Sequence, residues 1–163
     1  MESEAEKRKH RCCFTGHRPE KLYRPEREIT IELESEIRQA IKDGYVTFIT
    51  GMARGVDLWA GEIVLRIREE GHPIHLICAC PFPGFEESWS MAWKKRYHAV
   101  ISAADLVLFI SPKYNRGCFQ IRNEWLVNHS ARVIAVFNGQ PGGTRNTIDY
   151  AMRQEVPVVQ IKG

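Results

Sequence analysis

Six short apolar runs, at residues 11–15, 46–50, 74–80, 105–110, 132–137 and 156–161, constrain the fold of this chain more than any other feature. Most are apolar at successive rather than alternate positions, which is the pattern of strands covered by helices on both faces. Between them lie segments of helical period. Ile29, Leu33, Ile37 and Ile41 form one stripe, and Val56, Trp59, Ile63 and Ile67 a second. Trp89, Ala92, Trp93, Tyr97 and Val100 mark a third helix, residues 118–129 a fourth and residues 144–154 a fifth. The order is β-α five times, then a closing strand. Strands that begin roughly 25 to 35 residues apart suit right-handed crossovers and a mainly parallel sheet.

The 163 residues, 44% hydrophobic and 26% charged, match one ordinary globular domain, expected over residues 11–163. Residues 1–10 mix acidic and basic side chains and are expected to form a mobile, solvated tail. No stretch has the roughly 18 apolar residues of a membrane span, and the first residues lack the apolar core of a signal peptide, so a cytoplasmic protein is expected. Of the five cysteines, Cys12, Cys13, Cys78 and Cys80 fall in strand-like runs and read as free thiols. Cys78 and Cys80 share a strand face without a second ligand pair, so no metal site is expected. A net charge of +3 leaves attraction to nucleic acid dependent on local clusters, and the clusters are modest.

In parallel sheets ligands bind beyond the carboxyl ends of the strands, near the point where strand order reverses. The strand-to-helix turns are therefore where the chemistry should lie. After the first strand, Thr15-Gly16-His17-Arg18-Pro19 combines a glycine for close backbone approach with a planar cation suited to phosphate. After the second, Gly51-Met52-Ala53-Arg54-Gly55-Val56-Asp57 places Gly55 at a helix start, where free N–H groups and the macrodipole favour an anion. Arg54 would pair with phosphate, and Asp57 would either cap the helix or accept from a ribose hydroxyl or base. After the fourth strand, the loop from Ser111 to Gly117 carries Lys113, Arg116 and Tyr114, a ring on which a base can stack, although an exposed loop tyrosine is also common. The next helix carries Arg122 and Asn123, whose side chains would either reach back to the site or meet solvent. After the fifth strand, Gly142, Gly143 and Thr144 form another phosphate cradle at a helix start.

Each glycine turn alone is explained about as well by a structural turn, and the four tryptophans, Trp59, Trp89, Trp93 and Trp125, lie on or beside buried stripes and read as core. His17 is the only histidine in a candidate ligand turn, and the sequence places no second acid or base beside it.

The motifs Phe14-Thr15-Gly16-His17-Arg18-Pro19, the stretch from Gly51 to Ala60, residues 118–123 and Gly142-Gly143-Thr144 resemble, in order, those of the YpsA-like family of the SLOG superfamily. The resemblance extends from Arg11 onward. It implies a Rossmann-like three-layer sandwich and a common role of holding nucleotides, nucleotide derivatives or nucleic acid over the glycine turns. The same superfamily includes the DNA-processing protein DprA and the LOG phosphoribohydrolases. It also implies a homodimer.

Three functions follow from this reading. The first is a sensor or regulatory domain that binds a nucleotide-derived ligand, with no cofactor required. The second is an N-glycosidase acting on a nucleoside monophosphate, with Asp57 or Asp149 as the carboxylate. LOG enzymes carry Pro-Gly-Gly-x-Gly-Thr-x-x-Glu, whereas the stretch from Pro141 here ends in Asp149, shorter by one methylene, which would displace the carboxylate from the sugar. The third is single-stranded DNA binding, without the additional domains of DprA or a strong basic stripe.

Overall fold

The computed structural model describes residues 1–163. Six strands, β1 (Arg11–Gly16), β2 (Thr47–Thr50), β3 (His75–Cys80), β4 (Leu106–Phe109), β5 (Arg132–Phe137) and β6 (Val158–Lys162), form one all-parallel sheet in the order β4-β3-β2-β1-β5-β6. The expected runs lie within one or two residues of the observed strands. Helices α2 (Glu26–Lys42), α3 (Val56–Glu69) and α4 (Met91–Ala103) cover one face, and α5 (Cys118–Asn128) and α6 (Gly143–Arg153) the other. The result is an α/β Rossmann-like sandwich.

Alternating strand residues divide the core between the two faces. Cys12, Phe14, Phe48, Leu76 and Cys78 meet the stripes Ile29-Leu33-Ile37 of α2 and Trp59-Ile63-Ile67 of α3. Their neighbours Cys13, Ile49, Ala79, Val133 and Ala135 meet Leu126 and Val127 of α5 and Ile148 and Ala151 of α6. Both faces are buried, so the strands need apolar residues at every position, which is why they read as continuous runs. Trp59 is core, while Trp89, Trp93 and Trp125 are partly buried against it.

Residues 1–10 carry a feature that composition does not reveal. Ser3 and Glu6 form a capping box at the start of a short helix, α1 (Glu4–Arg8), and Arg8 donates to the carbonyls of Ser130 and Val127. Ser3-x-x-Glu6 is the local signal for that turn, and Arg11 adds an ion pair with Glu4.

The chain builds β1 to β4 outward in one direction, then returns so that β5 pairs on the other side of β1, with Gly16 beside Val136. Strand order therefore reverses between β1 and β5. At that edge α3 begins directly against the end of β1, because a Cβ on Gly16 would fall inside the Val56 side chain. Gly16→Ala should therefore destabilise the protein by about 1 to 3 kcal/mol, the cost of overpacking a close-packed contact. Urea denaturation of the two proteins at neutral pH measures it, and an unchanged midpoint would rule out this contact as a constraint.

Candidate functional site

A cavity of about 840 Å³ opens at the carboxyl edge where strand order reverses. Four segments wall it. The end of β1 and its loop contribute Thr15 to Arg18, the turn after β2 contributes Ala53 and Asp57, α5 contributes Phe119, Arg122 and Asn123, and the β5–α6 loop contributes Asn138 and Gly142 to Thr144. Glu20, Lys21 and Tyr23 complete the rim.

The expected residues divide on this geometry. Gly16, His17, Arg18, Asp57 and Asn123 line the cavity, as do Gly142, Gly143 and Thr144; Gly51, Arg54, Gly55, Ser111 and Tyr114 do not. Gly55 was expected to leave room for an anion at the start of α3. Instead a Cβ there would lie 2.8 Å from the His17 carbonyl oxygen, so the β1–α2 loop already fills the space. Its φ of +87° also lies where side-chain-bearing residues are strained. Arg54 was expected on phosphate, and its guanidinium is 2.9 Å from the Glu20 carboxylate. Ser111 is buried, with its N–H donating to the Pro81 carbonyl. Tyr114 is exposed and edge-on to Phe82. Asp149, one of the two candidate carboxylates, stands half exposed on α6, 4.0 Å from Arg145 and outside the cavity walls.

The open anion cradle is the start of α6. Gly142, at φ +147° and ψ −166°, adopts a backbone conformation essentially restricted to glycine and makes no side-chain cap. The first N–H groups of α6 have no acceptor within the protein and stand at the positive end of the helix dipole. A Cβ on Gly142 would meet nothing within 4 Å, and one on Gly143 would meet only the Asn123 side-chain nitrogen at 3.8 Å. Asn123 accepts from Arg122 Nε at 2.8 Å through its Oδ1, which turns its Nδ2 donor toward this cradle.

Arg122 is the residue that sequence reasoning left unassigned. It lies in the stripe Cys118-Arg122-Leu126, one buried position per turn of α5, so a cation replaces an apolar residue in the middle of a core stripe. That substitution is the sequence signal. Arg122 is only 5% exposed, donates through Nη1 to the Gly51 carbonyl, and packs so closely that a Cβ on Gly51 would lie 2.8 Å from Nη1. Nη2 has no hydrogen-bond partner in the protein, and Arg122 is one of the residues that line the cavity. No carboxylate forms an ion pair with this guanidinium, and burial holds its pKa below the ordinary arginine value.

Asp57 is the second buried charge. It does not cap α3: its Oδ2 accepts from the Ala53 N–H at 3.2 Å, and Oδ1 has no partner. Burial raises its pKa to about 6, against the opposing pull of Arg122 and the Ala53 hydrogen bond. His17 is held neutral, its pKa lowered by burial and by Lys21. Its Nε2 accepts from the Asn138 N–H at 3.1 Å, which commits one ring nitrogen to joining the loops after β1 and β5.

This geometry sits within a known family. The YspA SLOG family model matches residues 12–160. The chain belongs to that family. It is 30% identical over 125 residues to a UPF0398 protein of Halalkalibacterium halodurans, covering 75% of this chain and 66% of that one. Among solved structures, DNA processing protein A of Helicobacter pylori, described for its single-stranded DNA binding mode, superposes with a TM-score of 0.66 at 22% identity, over 94% of this chain and 65% of that one. Its Streptococcus pneumoniae counterpart gives a TM-score of 0.67 at 16% identity, over 96% of this chain and 52% of that one. These likenesses establish the fold, and the chain spans just under two thirds, or less, of each of the three proteins.

The Asp57 carboxyl makes stability depend on pH. Its folded pKa, about 6, exceeds the ordinary value of 3.8, so the folded state binds more protons between those limits. The ionisation penalty is absent below pH 3.8, grows up to pH 6 and is complete above it. Asp57→Asn should relieve it and raise stability at pH 7.5 by at most about 3 kcal/mol, with the gain shrinking toward pH 4. Thermal melts across that range test this; a gain independent of pH would show that Asp57 is not the titrating group.

Proposed function

We propose that this chain binds a phosphate-bearing, nucleotide-derived ligand in the cavity between the ends of β1 and β5, and that it acts as a sensor or regulatory domain through occupancy of that cavity. The observation that carries this reading is the Arg122 guanidinium: nearly fully buried, without a carboxylate partner, and on a residue that lines the cavity. An uncompensated buried charge costs several kcal/mol, and an anionic ligand would supply the missing partner. The uncapped start of α6, the Asn123 amide and the Thr144 side chain add donors on the same side. Asp57 provides an acceptor for a ribose hydroxyl or a base edge.

Binding is favoured over turnover because Asp149 lies outside the cavity and the neutral His17 has Nε2 committed to Asn138. The glycosidase reading then rests on Asp57 alone. Single-stranded nucleic acid is the second reading, supported by the likeness to the H. pylori protein. It requires affinity that falls steeply with salt.

Calorimetry with AMP and ADP-ribose is the direct test. Binding is expected, with Arg122→Met weakening it by about tenfold or more, the value of a hydrogen bond to a charged group, in a variant that circular dichroism shows to be folded. Failure of both nucleotides to bind at millimolar concentration would sink the proposal.

A homodimer belongs to the same proposal. Its support is the edge strand β4, which leaves Leu106 and Phe109 about half exposed, together with the exposed Ile121 of α5. Light scattering should give twice the 18.8 kDa chain mass, and a monomer at 100-fold dilution from about millimolar would argue against it.

A further inference from the structure

The cavity has two exposed rings that a phosphate clamp does not explain. Tyr23, on the β1–α2 loop, is 72% exposed, and Phe119, in the first turn of α5, is 44% exposed. Both line the cavity, whose remaining walls are largely polar. Phe119, Arg122 and Asn123 stand at i, i+3 and i+4, so one face of α5 presents a ring beside the proposed anion anchor. The Phe119 ring is braced from behind. Phe82 meets it edge-on at 6.1 Å, and Phe82 is itself held edge-on by Phe85 at 5.8 Å and by Tyr114 at 5.6 Å. Tyr23 comes from a different element and takes no part in that ring cluster.

An exposed, braced ring on a wet cavity wall costs apolar surface in water and is suited to a flat π system laid against it. Tyr23, exposed on a separate wall, offers a second ring. The volume, about 840 Å³, lies toward the upper end of the ~300–1,000 Å³ usual for ligand cavities, which leaves room for more than one base. We propose that Tyr23 and Phe119 are two separate stacking faces, so that the ligand is a dinucleotide unit, two bases joined through phosphate, rather than a mononucleotide. This rests on the phosphate-binding reading above. It assigns roles in ligand selection to two residues outside the glycine turns.

The experiment compares AMP, ADP and the dinucleotide pApA by calorimetry on the whole chain. ADP adds phosphate charge without a second ring. Stacking a further base should make pApA bind about tenfold or more tighter than either mononucleotide. Phe119→Ala and Tyr23→Ala should each reduce that ratio to within about threefold, as should Phe119→Leu, whereas Phe119→Tyr should keep it, because stacking needs a ring and not merely apolar bulk. Equal affinity for ADP and pApA in the unaltered protein overturns this inference and leaves the nucleotide-binding reading standing; absence of binding by all three overturns both. The wild-type ratio decides even if a variant fails to fold. The octanucleotide (dA)8 separates the two sources of such a unit. Affinity rising well beyond pApA identifies a single strand, and no further gain identifies a free dinucleotide.

Discussion

The guanidinium of Arg122 on the carbonyl of Gly51 is the contact on which the arrangement of the cavity depends. It ties α5, the helix through which the chain crosses to the other side of the sheet, to the turn that leads into α3. From the same guanidinium, Nε fixes the Asn123 amide. A single buried cation thereby ties two of the four walls, the β2–α3 turn and α5, and orients the Asn123 side chain that faces the start of α6. Its location in a core stripe makes it rigid, and the absence of a carboxylate partner keeps it chemically open.

The two buried charges have opposite environments by design of the packing. Asp57 and Arg122 are close enough for each to shift the other, yet they do not form an ion pair. Were they paired, each would satisfy the other and the cavity floor would be electrically closed. Held apart, one keeps a donor that lacks an acceptor, and the other an enclosed oxygen that lacks a donor. Under the proposed function, an anionic group in the cavity would supply the partner that the guanidinium lacks, as polar groups placed sparingly in a binding cavity do.

Much of the fold was legible because burial on both sheet faces forces a composition that local reading detects: the run at residues 132–137 coincides with β5, and the stripe from Val56 to Ile67 is buried throughout α3. Half of the site was legible for a similar reason, since turns at the carboxyl edge of a parallel sheet converge where strand order reverses. What failed was the assignment of space. A glycine marks a place where something approaches the backbone, but sequence does not say whether the visitor is a ligand or the chain itself. At Gly55 it is the His17 carbonyl, and at Gly51 it is Arg122; at Gly142 the space is open. Arg122 was left open between the site and solvent because apolar residues of α5 lie on more than one face, so the stripe Cys118-Arg122-Leu126 does not stand out from the rest of the helix. Asp149 was a candidate through its place in a motif, and its position on α6 leaves it half exposed beside Arg145.

The two chain ends leave the sheet at opposite edges. Helix α1 is latched by Arg8 to the last turn of α5, beside the amino ends of the strands, whereas Gly163 is buried and donates to the Phe137 carbonyl, next to the loop that begins with Asn138. For anyone attaching a fluorophore, an affinity handle or a fusion partner, the ends are therefore not equivalent. A graft before residue 1 starts beside α1, at the amino ends of the strands, while one after Gly163 starts beside Asn138, a residue of the cavity wall.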